Sequence, residues 1–326
     1  MRIALLTPLL ALAALALLPA GASAQNPWLE RRVLNIAHQG GEAEFPSNTM
    51  YAFKRSVRAG ADMLELDVGV TRDGEVVVMH DTTANRTTNG RGTVASHSLK
   101  KLRKLDAAYW FAPGNKADPY KHGLKRSAYR FRGVATGKRK PPRGFKRKDF
   151  RVPALREVLR AFPRTPITIE IKGRTKQEET AEYVRNAEAL AKALKSTSRR
   201  DIIVASFRQQ AVDRFHALVP EIALAPGIDG TAAWLLGGGS PGPGVQAFQL
   251  PITFQNGDQT IQVTTAENVA RAHREGYAWH TWLSNDGESV ATWRTLIDQC
   301  VDGVMTSRPV AFERTLRSHS APAACG

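Results

Sequence analysis

Ionisable side chains alternate with apolar ones in two segments, and this alternation restricts the possible folds of the chain. Glu65 and Asp67 lie two positions apart in the otherwise mostly apolar segment 62–68. Residues at i and i+2 of a β-strand project to the same face, so both carboxylates would point one way and the leucines the other. Glu170 and Lys172 repeat the pattern further along the chain. Two buried strands are therefore predicted to present charged groups on one face.

Two histidines follow other apolar segments. His38 comes directly after residues 33–37, and His80 comes directly after residues 76–79. Ionisable residues at the ends of several strands are typical of a parallel barrel, whose active site lies at the carboxyl ends of its strands.

Strand-like and helical segments alternate along most of the chain, which predicts an α/β fold, specifically a TIM (β/α)8 barrel. Nine strands are predicted for eight places in the barrel. The turn at residues 72–74 is too short for a parallel crossover, so residues 76–79 should form a hairpin with the preceding strand. The predicted strands are 33–37, 63–68, 76–79, 168–171, 202–206, 222–225, 245–250, 277–282 and 303–306. The predicted helices include 49–59, 155–161, 178–194, 210–218, 266–275 and 288–299.

The amino terminus has the pattern of a cleavable signal peptide over residues 1–24, with a basic start, a short apolar run and a small-residue end at Ala24. A membrane anchor is the alternative, but the apolar run is short for a span. The prediction is a secreted or periplasmic protein with one domain, residues 25–326, and no membrane span in the mature chain. Export would permit a disulfide between Cys300 and Cys325, and two unpaired thiols are the alternative.

Residues 106–151 are too long for an ordinary connection and are predicted to be an insertion in the barrel. Within them, residues 121–151 carry thirteen Lys or Arg residues and one acid, so they hold most of the net charge of +16. Prolines and glycines near Pro141 predict a loop held away from the barrel core. The charge favours anionic partners such as a cell-surface polymer or a lipid, although a solvated charged segment is the simpler explanation. The signal peptide argues against nucleic acid.

The predicted charged groups fit chemistry at phosphorus. Three carboxylates on strand ends repel one another unless a cation neutralises them, and oxygen ligands suit Ca²⁺ or Mg²⁺. Pairing of these acids with surface lysines or arginines is the alternative. Imidazole titrates near neutral pH, so His38 and His80 are the candidate acid and base. An inward-facing Lys172 implies an anionic substrate.

The motifs together resemble those of the glycerophosphodiester phosphodiesterases. The resemblance extends from about residue 36 to residue 309, with the insertion as an extra segment. The motifs that carry it are His38-Gln39-Gly40-Gly41, Pro46-Ser47-Asn48-Thr49, residues 60–68, Thr71-Arg72-Asp73-Gly74, His80-Asp81, Arg86-Thr87-Thr88, residues 169–172, Ser206-Phe207, Trp282 with Asn285, and residues 302–309.

The resemblance implies a TIM barrel in which His38 and His80 are the catalytic histidines. It implies a divalent cation held by three carboxylates, Glu65, Asp67 and Glu170. Three residues are expected to bind the substrate, namely Gln39, Lys172 and Trp282. The family usually has Arg where this chain has Gln39, and Glu where this chain has Ser47. Gln39 can donate a hydrogen bond but carries no charge.

The predicted function is metal-dependent hydrolysis of small glycerophosphodiesters to an alcohol and glycerol phosphate. One alternative is a phospholipase of the related barrel group, for which Tyr109-Trp110-Phe111 would contact lipid or else form a core cluster. The other alternative is a non-catalytic protein that binds an anionic polymer through the insertion.

Overall fold

The structure is a computed structural model that describes residues 26–29, 32–114, 118–174, 180–283 and 287–325. The predicted signal peptide and Asn285 lie outside these ranges, so both remain predictions. In the described ranges no helix combines the length and the apolar character that a membrane crossing requires.

Eight parallel strands form the barrel, which confirms the predicted fold class. The strands are β1 (Leu34–Ala37), β2 (Met63–Val70), β4 (Ile167–Ile171), β5 (Ile202–Ala205), β6 (Ala223–Leu224), β7 (Ala247–Pro251), β10 (Ala278–Trp282) and β11 (Gly303–Thr306). Their hydrogen-bonded order is β6-β5-β4-β2-β1-β11-β10-β7. A parallel bridge between Leu224 and Val245 brings the two ends of this order together.

Among the described residues, three further strands lie outside the barrel. Strand β3 (Val76–Val78) pairs antiparallel with β2, as the short turn at residues 72–74 predicts. Strands β8 (Thr253–Asn256) and β9 (Gln259–Gln262) form a separate antiparallel hairpin after β7, which the sequence did not predict.

Helices alternate with the strands and cover the barrel. They are α1 (Met50–Ala59), α2 (Leu99–Leu102), α3 (Leu155–Ala161), α4 (Thr180–Leu194), α5 (Gln209–Leu218), α6 (Ile228–Gly237), α7 (Ala266–Arg274), α8 (Val290–Asp298) and α9 (Pro309–Ser318). Thr49 caps α1, because its side chain accepts a hydrogen bond from the backbone N–H of Ala52. The neighbouring Asn48 is thereby left for the site described below.

Small and medium apolar side chains fill the barrel interior. Ile36, Met63, Ile203 and Met305 belong to this buried cluster, and Trp28 packs with them. Such a filled barrel is a packed core and not a channel, so a ligand site is expected beyond the carboxyl ends of the strands.

The insertion, of which residues 106–114 and 118–151 are described, packs directly on the barrel. The prediction of a loop held away from the core is therefore wrong. Tyr51 of α1 contacts Phe131, Phe145 and Phe150, with ring centroids 5.1, 4.5 and 4.5 Å away. Aromatic side chains thus anchor a segment whose basic residues are nearly all exposed.

The aromatic triplet of the insertion belongs to the same core. Phe111 is fully buried, and Trp110 stacks on His122 with the ring centroids 4.0 Å apart. The guanidinium of Arg132 lies 4.3 Å from the Tyr109 ring centroid. Two roles were predicted for Tyr109-Trp110-Phe111, contact with lipid or a core cluster. The structure supports the core cluster.

A disulfide joins Cys300, which follows α8, to Cys325, with a Cα–Cα distance of 5.2 Å. It ties the carboxyl-terminal segment to the barrel wall.

Candidate active site

Three carboxylates from the neighbouring strands β2 and β4 converge. Glu65, Asp67 and Glu170 each offer one oxygen, and these oxygens all lie within 4.8 Å of one another. The parallel register of β2 and β4 places Asp67 opposite Glu170. The predicted alternation of side chains therefore brings all three acids to one point.

Lys172 is the lysine of this cluster. Its Nζ lies 2.7 Å from Oε1 of Glu170 and 3.3 Å from Oδ1 of Asp67. Burial opposes a charge on Lys172, but the carboxylates of Glu170 and Asp67 raise its pKa above the usual value. The lysine is therefore a fixed positive charge at the edge of the cluster.

The pKa values of Glu65 and Asp67, the two buried acids of β2, shift in opposite directions. Burial and the charge of Asp67 raise the pKa of Glu65 well above its usual value. Burial alone would also raise the pKa of Asp67, but the charges of Lys172, His80 and His38 lower it. Oε1 of Glu65 is buried and has no hydrogen-bond partner. An unpaired buried oxygen beside two further carboxylates fits a hard divalent cation such as Ca²⁺ or Mg²⁺.

Backbone and amide donors hold the carboxylates in place. The backbone N–H of Gln39 donates to Oε2 of Glu65 at 2.5 Å. The side-chain amide of Asn48 donates to Oδ2 of Asp67 at 2.8 Å. Gln39 and Asn48 both have positive φ, 50° and 55°, so the backbone bends sharply at both positions.

His38 begins the loop after β1 and is oriented by a nearby acid. Its Nδ1 lies 2.6 Å from Oε1 of Glu42, and its Nε2 lies 3.9 Å from Oε2 of Glu65. Burial opposes protonation, but the charges of Glu42 and Glu65 raise the pKa of His38 to about 10. Because a carboxylate accepts hydrogen bonds, Nδ1 carries the hydrogen toward Glu42, and Nε2 is directed at the carboxylate cluster.

His80 follows β3 and has a similar partner. Its Nδ1 lies 2.9 Å from Oδ1 of Asp81. Arg86 donates to both oxygens of Asp81, from Nε at 2.7 Å and from Nη2 at 2.8 Å. Burial opposes ionisation of Asp81, but hydrogen bonds from His80 and Arg86 hold its pKa below the usual range. Asp81 thus remains an anion that fixes the ring of His80.

One cavity of about 700 Å³ connects these groups. Both histidines line it, together with Glu65, Glu170 and the three predicted substrate-binding residues, Gln39, Lys172 and Trp282. Asp67 does not line the cavity, but it contacts Lys172 and belongs to the same carboxylate cluster, so the structure brings all the predicted site residues together.

Several residues of the site were not predicted from sequence. Glu42 and Asp81 support the two histidines, and their positions four residues and one residue after them were the available signal. Phe207 lies in a recognised motif but was not assigned to the site. Tyr120 comes from the insertion, lines the cavity and accepts a 2.5 Å hydrogen bond from the backbone N–H of Ser47. Nothing in the sequence indicates this long-range contact.

Three of the other described histidines have structural partners. His97 contacts a backbone carbonyl, His273 pairs with Asp302, and His319 pairs with Asp298.

Comparison with known proteins identifies the family. The profile of the glycerophosphoryl diester phosphodiesterase family matches residues 38–311. A glycerophosphodiester phosphodiesterase of Bacillus subtilis is 28% identical over 299 residues, which cover 88% of each chain. A second Bacillus subtilis protein, with a provisional glycerophosphodiester phosphodiesterase name, is 34% identical over 58% of this chain. That alignment spans 63% of the relative, which is just under two thirds of its length.

Solved structures support the same fold. An Oleispira antarctica phosphodiesterase, solved in complex with the product sn-glycerol-3-phosphate, superposes with a TM-score of 0.61 at 20% identity. The superposition covers 86% of this chain and 96% of that one. Because the family profile matches residues 38–311, the chain belongs to the glycerophosphoryl diester phosphodiesterase family, and the solved structures share its barrel fold.

Proposed function

We propose that this protein is an exported, metal-dependent phosphodiesterase that hydrolyses glycerophosphodiesters to an alcohol and glycerol phosphate. One observation carries the proposal, namely the convergence in one cavity of two carboxylate-supported histidines, a carboxylate triad and a buried lysine. The product bound to the Oleispira relative supports the same reaction.

Glu65, Asp67 and Glu170 would hold the cation, with Ca²⁺ and Mg²⁺ as the candidates. When bound, the cation supplies positive charge that stabilises the negative charge developing on phosphate oxygens. Lys172 adds a second positive charge at the same edge of the cavity, within 3.3 Å of Asp67 and 2.7 Å of Glu170. These two charges would orient the phosphodiester between them.

His38 and His80 would move the protons. With Nδ1 of each ring directed at Glu42 or Asp81, Nε2 is the nitrogen available for catalysis. One ring accepts the proton of the attacking glycerol hydroxyl, and the other donates a proton to the departing alcohol. Water then opens the resulting cyclic phosphate to glycerol phosphate, and the two rings exchange roles.

Gln39 and Trp282 are proposed substrate contacts because both side chains line the cavity. Gln39 offers a neutral amide where relatives of this family usually place a guanidinium. We expect this difference to change the preferred head group slightly and not to abolish the reaction.

The proposed export rests on the amino-terminal segment alone, and its destination would be the periplasm or the medium. The exposed basic residues of the insertion support contact with an anionic cell-surface polymer or lipid. Within the described residues 118–148, no lysine or arginine has a salt-bridge partner.

Hydrolysis of glycerophosphocholine tests the proposed function directly. Choline and glycerol phosphate should form in equal amounts, a chelator should stop the reaction, and Ca²⁺ or Mg²⁺ should restore it. Glu65→Gln should lose activity by about a hundredfold or more, whereas Glu221→Gln, at an exposed acid, should not. Full activity after exhaustive chelation, with no metal found by elemental analysis, contradicts the metal site. Absence of any diester hydrolysis contradicts the function.

A further inference from the structure

Loop 46–49, which precedes α1, holds one carboxylate of the triad in place. The side-chain amide of Asn48 donates to Oδ2 of Asp67 at 2.8 Å, and its carbonyl oxygen accepts from the backbone N–H of Asp67 at 3.3 Å. Asn48 has a φ of 55°, in the left-handed region that is uncommon for residues other than glycine. The position of the Asp67 carboxylate therefore depends on a backbone conformation that other contacts must maintain.

One contact that maintains loop 46–49 is local, and another comes from the insertion. The hydroxyl of Thr49 donates to the backbone carbonyl of Pro46 at 2.7 Å. Next to Asn48, the backbone N–H of Ser47 donates to the phenolic oxygen of Tyr120 at 2.5 Å. Ser47 and Tyr120 are both buried. Because a buried backbone N–H without an acceptor is unfavourable, the hydroxyl of Tyr120 stabilises the loop in this conformation.

Tyr120 is itself held firmly within the insertion. Its backbone N–H donates to Oδ1 of Asp118 at 2.9 Å. Its ring centroid lies 5.7 Å from that of the fully buried Phe111. The carbonyl of the preceding Pro119 accepts a 2.8 Å hydrogen bond from the backbone N–H of Ala112. The acceptor that Tyr120 offers to Ser47 is therefore rigid.

The ring of Tyr120 also contacts the support of His80. The guanidinium of Arg86 lies 5.2 Å from the centroid of this ring, and Arg86 donates to both oxygens of Asp81. Asp81 in turn contacts Nδ1 of His80 at 2.9 Å. The hydroxyl of Tyr120 thus acts on the side of Asp67, and its ring on the side of His80. Replacement by Phe separates the two contacts, because it removes the hydroxyl and keeps the ring.

A small second cavity gives loop 46–49 room to move when this hydrogen bond is removed. Its volume is about 10 Å³, close to the least that holds one water molecule, and its lining includes Ser47, Asn48 and His80. Dense packing on every side would hold the loop even without the bond to Tyr120. With space beside Ser47 and Asn48, the bond has a direct effect on where the loop lies.

We propose that Tyr120 is a positioning residue of the active site, whose hydroxyl holds loop 46–49 so that Asn48 sets the Asp67 carboxylate for a divalent cation. The inference rests on the metal site of the proposed function and gives the insertion a part in cation affinity. Replacing a residue that orients a metal ligand usually weakens metal binding about tenfold to a hundredfold. Tyr120 acts through Asn48, so we expect a loss of about tenfold, at the lower end of this range.

The test is calorimetric titration of Ca²⁺, and in a second series Mg²⁺, into protein freed of metal by a chelator. It compares the wild type with Tyr120→Phe. The cation that binds the wild type should bind the variant about tenfold more weakly. Hydrolysis of glycerophosphocholine should then need about tenfold more of this cation for half-maximal rate, with kcat at saturating cation within about threefold of the wild-type value.

Tyr129→Phe is the matched control. Tyr129 is another buried tyrosine of the insertion and does not line the cavity. Its hydroxyl accepts from the backbone N–H of Leu124 and donates to the carbonyl of Lys121, both at 2.9 Å. Tyr129→Phe should therefore lower Tm at least as much as Tyr120→Phe and leave cation affinity at the wild-type value. Equal weakening of cation binding in both variants overturns the proposal, because general loosening of the insertion then explains it.

A double-mutant cycle with Asn48→Gly tests whether Tyr120 acts through Asn48. Glycine adopts a φ of 55° without strain, so this variant removes the side chain that holds Asp67 and keeps the backbone path. Asn48→Gly should weaken cation binding by itself, and adding Tyr120→Phe should weaken it by less than about twofold more. Additive losses in the double variant overturn the route through Asn48.

The same titrations separate failure of this inference from failure of the proposed function. Equal cation binding by the wild type and Tyr120→Phe overturns the positioning role and leaves the metal site intact. If the wild type binds neither Ca²⁺ nor Mg²⁺, the metal site and the role of Tyr120 are both overturned. Choline release from glycerophosphocholine by the wild type then still shows whether the protein hydrolyses the diester.

Discussion

His280 should make the folded protein sensitive to mild acid. This histidine lies in β10 within the barrel interior, where its ring meets Trp28 edge to face with centroids 6.4 Å apart. Neither ring nitrogen has a hydrogen-bond partner. Burial lowers the pKa of His280 from 6.5 to about 4, and the charge of Asp302 offsets part of this effect.

The folded and unfolded pKa values of His280 give the sign and size of its effect on the unfolding free energy. Between pH 6.5 and about 4 the unfolded chain binds a proton at His280 that the folded chain does not bind. The contribution of neutral His280 to the unfolding free energy is therefore fully present above pH 6.5. It is lost as the pH falls toward about 4, the pKa of His280 in the folded protein. The difference corresponds to about 3 kcal/mol of unfolding free energy.

Substitution of His280 by Met isolates this contribution, because Met is apolar and does not titrate. Urea unfolding of both proteins, followed by tryptophan fluorescence, gives the unfolding free energy at each pH. Between about pH 7 and pH 4.5 the wild type should lose roughly 2 kcal/mol more than the variant. Above pH 7 the difference between the two proteins should be constant. If the unfolding free energies of the wild type and the variant fall in parallel between pH 7 and pH 4.5, His280 is not a neutral buried imidazole.

Three further predictions concern catalysis, charge and the disulfide. His38→Ala and His80→Ala should each lower kcat by about a hundredfold or more with Tm little changed, and near-normal turnover in either variant rejects its role. Replacement of the exposed basic residues in 138–148 by Gln should flatten the salt dependence of kcat/KM for polyanionic substrates and leave zwitterionic diesters unaffected. An unchanged salt dependence excludes steering by the insertion. Cys325→Ser should lower the unfolding free energy by about 3 kcal/mol, and equal denaturation curves for both proteins contradict this.

Features that depend on local periodicity could be predicted from the sequence. The alternation of side chains in β2 and β4 fixes which face carries Glu65, Asp67 and Glu170, and the parallel register then brings them together. The hairpin of β3 followed from the length of one turn. Both features are set by geometry over a few residues, so distant contacts do not alter them.

Features that depend on tertiary contacts could not be predicted. Helix α6 carries apolar residues on both faces, so its sequence has no helical period that separates a core side from a ligand side. The hairpin of β8 and β9 is polar at most positions and gives a weak strand signal. These elements line the same cavity only because the barrel brings them together.

The insertion shows why composition misled the prediction of its packing. Charge, Pro and Gly dominate residues 121–151, and this composition favours a solvated loop. A few aromatic residues at irregular spacing decide the structure instead, because Phe131, Phe145 and Phe150 all reach the ring of Tyr51. Irregular spacing has no signature of regular secondary structure, although each aromatic side chain buries a large apolar area.

The change of residue at Gln39 shows how much a family position can vary without loss of the site. The backbone N–H of Gln39 holds Glu65 in place, and this contact is independent of the side chain. The sharp turn with φ of 50° belongs to the backbone as well. Only the part of the residue that lines the cavity differs from the usual guanidinium. The replacement therefore changes the groups that line the cavity and leaves the backbone contact to Glu65 intact. Under the proposed function, Gln39→Arg should accordingly change KM more than kcat, and an equal loss of both would contradict this.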